Sequence, residues 1–297
     1  GVAGFAPQQE LRVLQDHVLA RRPRVVVVGF FAGNDIPGAA LFDEFERAGG
    51  TASFGVGGWP YKRVIARWDR LYVVSFAGRL FDHEVHAAGS PVEPPVASAV
   101  SRASFDRGMF AVPVGTRTLR FALMPPYLNL LNLGRADLEA HRGWDLTRLA
   151  LLEMDRACRT IDATLIVMFI PSKSQVYLPV LRKAFGPAEL REALAFSLPR
   201  DPWGVDVDRL SRNRLVQNEL MSRFCEAEGI AFLDLTAALE RKVQRGENVY
   251  FPDDSHWNAL GHEVAADQLV GFIRQRVATT ASRDRNTPSA APEPTGR

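Results

Sequence analysis

The sequence predicts an α/β protein built on a parallel sheet. Three observations carry that expectation. Two short apolar runs, residues 25–32 and 165–170, are rich in β-branched residues and have the length of buried parallel strands. Segments with apolar residues at helical spacing precede and follow them. Turn-forming polar residues follow each run at once, Gly33-Asn34-Asp35 in one case and Pro171-Ser172-Lys173 in the other. With 297 residues, the chain is long enough for one large α/β domain or two small ones.

Residues 8–21 carry Leu11, Leu14, Val18 and Leu19 on one helical face, and Pro23 stops that helix. The strand at 25–31 follows. Helix, strand and a Gly-Asn-Asp turn make half of a doubly wound unit. Residues 38–135 interrupt the pattern with Gly49-Gly50, the glycines between 55 and 60, and the prolines between 91 and 95. We expect an insertion of small helices and a hairpin there. The regular pattern returns with a helix over 145–160, the strand at 164–170, helices over 175–185 and 187–196, and a helix over 207–228 ended by Gly229. A strand at 230–233 comes next, with Asp234 and Thr236 suited to cap a further helix. The final helix spans 259–277, and residues 278–297, rich in Ser, Pro, Thr, Ala and Arg, read as a disordered tail.

Composition excludes several function classes. Net charge is +2, which gives no electrostatic footprint for a nucleic acid. No apolar run is long enough to span a bilayer. Cys158 and Cys225 occupy equivalent places late in two helices, so either a disulfide or two buried thiols fits the pattern. His83-Glu84-Val85-His86 lacks the i, i+4 spacing of a helical zinc pair, and no metal or other cofactor is expected. The glycines at 55–58 lack a following Lys-Ser/Thr and form a loop, not a phosphate cradle.

The chemistry concentrates in Asp253-Asp254-Ser255-His256-Trp257-Asn258. A histidine held by a nearby carboxylate is a general base suited to activate a hydroxyl. In an extended turn Asp254 projects to the same side as His256; in a helical turn Asp253 does, so both are candidates. Asn34, at the carboxyl end of a predicted strand, offers an amide N–H to a developing oxyanion. Lys173 falls just after the next strand and is a candidate contact for an anionic or sugar substrate. His262, inside the last helix, reads as a packing residue. Asn34, Lys173 and His256 all fall just after predicted strands or in the loop of such a unit, on the side where open parallel sheets bind their ligands.

These segments together resemble the SGNH (GDSL-type) hydrolases. That family carries a Gly-Asp-Ser nucleophile block, a glycine block, a Gly-x-Asn-Asp turn and an Asp-His pair near the end. Gly1-Val2-Ala3-Gly4-Phe5 with Gln8-Gln9-Glu10-Leu11 resembles the second block, and Ala32-Gly33-Asn34-Asp35 the third, with Ala32 in place of the first glycine. Asp253-Asp254-Ser255-His256 resembles the last. The Asp-x-His-Trp-Asn form is similar to a branch that places the acid two residues before the histidine and includes proteins of bacterial exopolysaccharide acetylation. The segment from Pro171 to Tyr177 resembles one seen there.

The resemblance covers residues 1–36 and about 145–275. It implies a flavodoxin-like three-layer α/β/α domain over residues 1–277, with 38–135 as its insertion and with its first strand and nucleophile lying upstream of Gly1. It further implies Gly4 and Asn34 as oxyanion donors, His256 as base and Asp254 as its orienting acid. The implied activity is hydrolysis of acyl esters, with carbohydrate O-acetyl groups as the candidate substrates. The rival readings are an O-acetyltransferase of the same fold and a non-catalytic carbohydrate-binding module. The 297 residues alone are expected to show no triad-dependent turnover. The family often works in the periplasm or outside the cell, but compartment, like oligomeric state, is not readable from these residues.

Overall fold

The computed structural model describes residues 5–49, 102–197 and 205–286. Among them the chain forms a parallel sheet of three strands and a separate antiparallel sheet of three. Helix α1 (Pro7–Val13) runs on through a π turn and a 3₁₀ turn to Arg21, and Arg22 ends it in the left-handed region at φ 46°. Strand β1 (Val25–Phe31) follows, then α2 (Asp35–Arg47).

The antiparallel sheet is β2 (Ser104–Asp106), β3 (Met109–Val114) and β4 (Arg117–Phe121). Its first turn is Arg107-Gly108, both at positive φ, which is the geometry a two-residue hairpin with native twist requires. Short helices α3 (Pro125–Asn129) and α4 (Arg135–Glu139) lead to the long α5 (Arg142–Arg159) and to strand β5 (Thr164–Ile170). Helices α6 (Lys173–Ala184), α7 (Pro187–Ser197), α8 (Val207–Asn213) and α9 (Val216–Glu228) come next. Strand β6 (Ala231–Asp234), α10 (Thr236–Val243) and α11 (Ala259–Asn286) complete the order.

The parallel sheet runs β1-β5-β6, with Val25 opposite Thr164, Phe31 opposite Ile170 and Ile166 opposite Ala231. Successive side chains alternate between its faces. Val26, Val28, Phe30, Leu165, Val167 and Phe169 feed one core, shared with Leu11 of α1, Leu151 and Met154 of α5, and Met221 of α9. Ile166, Ala231 and Leu233 feed the other, shared with α6, α10, α11 and the inner face of the antiparallel sheet. Strand β5 is buried on both faces, which explains its apolar run over 165–170, whereas β1 buries Val26, Val28 and Phe30 on one face and leaves Val27 exposed on the other.

Four expectations need correction. First, residues 38–47 continue α2, whose buried Ala39 and Phe42 pack inward and which lies along α5, so this stretch belongs with the sheet's helices. Second, the helix expected over 207–228 breaks at Arg214 and Leu215. There the Arg214 carbonyl accepts a hydrogen bond from Gln175 Nε2 (2.9 Å), which takes it out of the helical ladder, and the guanidinium pairs with Glu240. Third, helix α6 begins at Lys173 and not at 175, because Ser172 caps it by accepting from Gln175 N (3.3 Å) while Gln175 Oε1 accepts from Ser172 N (2.8 Å). Fourth, α11 runs on to Asn286, past the tail boundary expected at 278. Most of the irregular stretch and the His83–His86 pair lie outside the described residues. No helix among the described residues is long and apolar enough to cross a membrane.

Cys158 and Cys225 are free and fully buried. Burial, with Asp155 adding to it at Cys158, pushes their thiols up to about 11 and about 12. Thiolates are the reactive form, so both should be inert in the folded protein. We expect no reaction with a thiol-specific disulfide reagent at pH 8 until denaturant is added, and then two equivalents. Reaction in the native state would mean that one of the two cores opens.

Candidate functional site

At one edge of the parallel sheet β1, β5 and β6 end side by side, with Phe31 opposite Ile170 and Phe169 opposite Asp234, and the candidate residues Asn34 and Lys173 follow the first two strands. At β1, the Ala32 N–H still pairs with the Ile170 carbonyl (3.0 Å), and the chain then turns through Gly33 and Asn34 into α2. Asn34 is half-buried, and its carboxamide oxygen takes no hydrogen bond among the described residues. Asp35 is buried, and its carboxylate accepts the Phe31 N–H (2.7 Å), which closes the turn that presents Asn34. Burial drives the Asp35 carboxyl well above the ordinary range. The nearby Glu10 adds to this and the Phe31 N–H opposes it. Burial likewise raises Glu10, to about 7.

This acid pair gives a pH prediction. Between about 4.5 and 7 the folded state keeps a proton on Glu10 that the unfolded chain has released, so stability falls as pH rises through that window. Glu10→Gln should flatten the profile. The variant should be about 2 kcal/mol more stable than the parent at pH 8 and indistinguishable from it at pH 4. That figure takes ~1.4 kcal/mol for each tenfold change in proton affinity and discounts it for partial screening. Urea unfolding at the two pH values checks it.

At β5, the Ser172 cap and Gln175 fix the start of α6. Gln175 Nε2 donates to Asn218 Oδ1 (2.9 Å), and Asn218 Nδ2 donates to Asp234 Oδ2 (2.8 Å) and Thr236 Oγ1 (2.7 Å) at the end of β6. Every member of this buried chain is paired, so it ties two strand ends and three helices into one rigid frame.

The third part is the segment 248–258, which doubles back on itself. Tyr250 bridges Trp257, the Phe251 N–H meets the His256 carbonyl (3.0 Å), and Asn258 Nδ2 donates to the Asn248 carbonyl (2.7 Å). At its tip Asp254 Oδ1 faces His256 Nδ1 at 2.7 Å and also accepts the His256 backbone N–H at 3.1 Å. Asp254, and not Asp253, therefore takes the ring nitrogen. Partial burial raises the Asp254 carboxyl, but the two contacts from His256 outweigh it and hold the group below its ordinary value. The imidazole is 76% exposed, so its other nitrogen is open to a reacting group.

Lys173 sits where sequence reading did not put it. Expected in a loop, its ammonium either in solvent or toward substrate, it lies in the first turn of α6 and is 1% exposed. Its Nζ donates to the carbonyls of Phe251 (2.7 Å), Pro252 (2.7 Å) and Asp254 (3.0 Å). All three N–H groups are thereby spent on the loop, and none is left for a substrate. The bracing roles of Lys173, Tyr177 and Tyr250 had no sequence signal, since their partners are 71 to 81 residues away. His262 packs edge-on against Trp257. Gly4 lies outside the described residues. No group of His, Cys, Asp and Glu able to hold a metal occurs among the described residues. Ser255 Oγ lies 3.5 Å from Asp254 Oδ1, and no serine hydroxyl among the described residues is hydrogen-bonded to His256.

In comparison with known proteins, residues 207–296 are similar to the family described as SGNH hydrolase-like domain, acetyltransferase AlgX. The matched stretch runs from α8 to beyond the end of α11 and contains Asp254 and His256, whereas Asn34 and Lys173 lie outside it. No curated protein and no solved structure matches the chain.

Proposed function

We propose that this chain is of the SGNH type, which the similarity over residues 207–296 supports, and that it is an acyl-transfer enzyme acting on acetyl groups of carbohydrates. The observation that carries the reading is the 2.7 Å pairing of Asp254 Oδ1 with His256 Nδ1 inside the matched stretch. The acetyltransferase description of that family favours acetyl transfer over the ester hydrolysis that the sequence alone suggested. The wider fold is proposed to be the three-layer α/β/α arrangement of that family.

In this proposal a serine outside the described residues attacks the acetyl carbonyl. His256 Nε2 takes the hydroxyl proton as the Oγ–C bond forms and returns it to the departing alcohol as the C–O bond breaks. Asp254 holds the tautomer with hydrogen on Nδ1 and stabilises the imidazolium. The Asn34 amide and the Gly4 N–H are the proposed oxyanion donors. A sugar hydroxyl then gives its proton to His256 as its oxygen bonds the acetyl carbon, the Oγ–C bond breaks, and His256 returns the proton to the serine Oγ; water in the same position completes hydrolysis instead.

The test uses the product of the complete reading frame with p-nitrophenyl acetate as donor and a polysaccharide as acceptor. Transfer that outcompetes water and disappears in His256→Ala supports the proposal. Hydrolysis unaffected by acceptor returns the reading to an esterase. Polysaccharide binding with no His256-dependent turnover would mean a binding module.

A further inference from the structure

We infer that Lys173 is the positioning residue of this site: its ammonium clamps the 251–254 backbone so that Asp254 meets the His256 ring. The inference rests on the reading of Asp254 and His256 given above. The loop needs such a device. Phe251, Pro252, Asp253 and Asp254 are all exposed, and His256 is more so. An exposed ion pair alone is worth little and does not hold two side chains in one geometry. What holds this one is backbone. Asp254 must present Oδ1 to both the ring and the backbone N–H of His256, and that requires the peptide groups before it to be fixed.

Lys173 does this from the rigid side. Its Cα belongs to the capped first turn of α6, which the Ser172–Gln175–Asn218–Asp234 chain locks to the sheet ends. Its three donors reach three carbonyls at 2.7 to 3.0 Å, the full hydrogen-bonding capacity of an ammonium. The same helix and its approach hold the neighbouring residues as well. Tyr177 Oη accepts the Val249 N–H (3.1 Å), and Tyr250 Oη donates to the Pro171 carbonyl (2.7 Å). Those contacts fix residues 249 and 250. Beyond them the Ala122 N–H meets the Pro252 carbonyl (2.7 Å), and Lys173 ties that carbonyl to those of Phe251 and Asp254. Asp253 and Asp254 both favour the charged ammonium, while burial opposes it and lowers Lys173 to about 7. The clamp is therefore strongest below neutrality, when all three protons are present.

The experiment is nitrogen-15 NMR on the 297-residue chain, reading the His256 ring tautomer and its Nδ1–H resonance. The parent should show the Nδ1–H tautomer with a slowly exchanging, downfield proton. Lys173→Met, similar in length and without donors, should lose that signal and revert to the Nε2–H tautomer that free histidine prefers, with the α6 and sheet resonances unmoved. Asp254→Asn is the control. If it leaves the His256 signal unchanged, the Asp254–His256 pairing itself is wrong. If Asp254→Asn removes the signal and Lys173→Met keeps it, the pairing stands and the positioning role is overturned. Should Lys173→Met fail to fold, the parent decides alone. At pH 5 its Lys173 ammonium should give a protected Nζ–H₃ cross-peak with contacts to residues 251–254, and a rapidly exchanging ammonium without them would refute the clamp.

Discussion

Asp254→Asn in the product of the complete reading frame should lower kcat for acetyl transfer by on the order of 10³- to 10⁴-fold with little change in KM, and His256→Ala by at least as much. The expectation follows from the geometry at one oxygen. Asp254 Oδ1 takes the ring Nδ1 at 2.7 Å and the backbone N–H of the same residue at 3.1 Å. An asparagine can keep the backbone contact with its carbonyl oxygen, so the loop should hold its shape. It then offers the ring a neutral oxygen in place of a carboxylate, and the imidazolium formed when the serine proton moves loses its counter-charge. The loss belongs in kcat because that charge exists only in the transition state. Asp253→Asn should cost less than about tenfold, since Asp254 already takes the ring nitrogen and Asp253 meets the site through its attraction to Lys173. Equal losses in the two variants would sink the assignment of Asp254.

The contrast between the two aspartates marks where sequence reading stopped. Val25–Phe31 and Thr164–Ile170 were legible to the residue, because each is a short run rich in β-branched and aromatic residues followed at once by turn residues. The Asp-His segment was legible as chemistry. Choosing between Asp253 and Asp254 required knowing whether residues 253–256 are helical or extended, and that is decided by tertiary contacts, chiefly the Lys173 ammonium arriving from 78 residues upstream. The same contacts made Lys173 itself misleading. A lysine following Pro-Ser at a strand end has the composition of an open loop, and only the reciprocal Ser172–Gln175 cap, itself an S-x-x-Q pattern, betrays that a helix begins there. The break at Arg214 was likewise invisible, because Arg214 and Leu215 are both sound helix formers and the interruption comes from Gln175 and Glu240 in other elements.

A marked stability loss is expected at Gly261, although alanine is the better helix former. Gly261 lies in the first turn of α11, with its N–H donated to Asn258 Oδ1 (3.0 Å). A methyl group there would overlap the Val249 carbonyl oxygen and press on Cβ (2.9 Å) and Cγ (3.0 Å) of Trp257. Neither neighbour can retreat. Val249 is fully buried, its N–H is bonded to Tyr177 and its carbonyl accepts the Asn258 N–H (3.2 Å). Alanine normally gains about 1 kcal/mol over glycine in a helix, but overpacking against fixed backbone costs about 3 kcal/mol or more. Gly261→Ala should therefore lower Tm by roughly 4 to 8 °C on a net loss of about 2 kcal/mol, at about 2–4 °C per kcal/mol for a domain of this size. Gly271 supplies the control, since it lies in the same helix and nothing stands within 4 Å of its added Cβ. Gly271→Ala should raise Tm slightly. The sign difference between two identical substitutions in one helix isolates the close approach from helix propensity. The displaced groups, Val249 and Trp257, are the turns on either side of the 251–256 loop. Gly261→Ala should therefore also disturb the His256 Nδ1–H signal, although the Gly261 N–H bonds to Asn258 and the His256 ring to Asp254. A Gly261→Ala protein as stable as the parent would show that α11 does not approach Val249 so closely, and with that the anchoring of the loop's far end would have to be sought elsewhere.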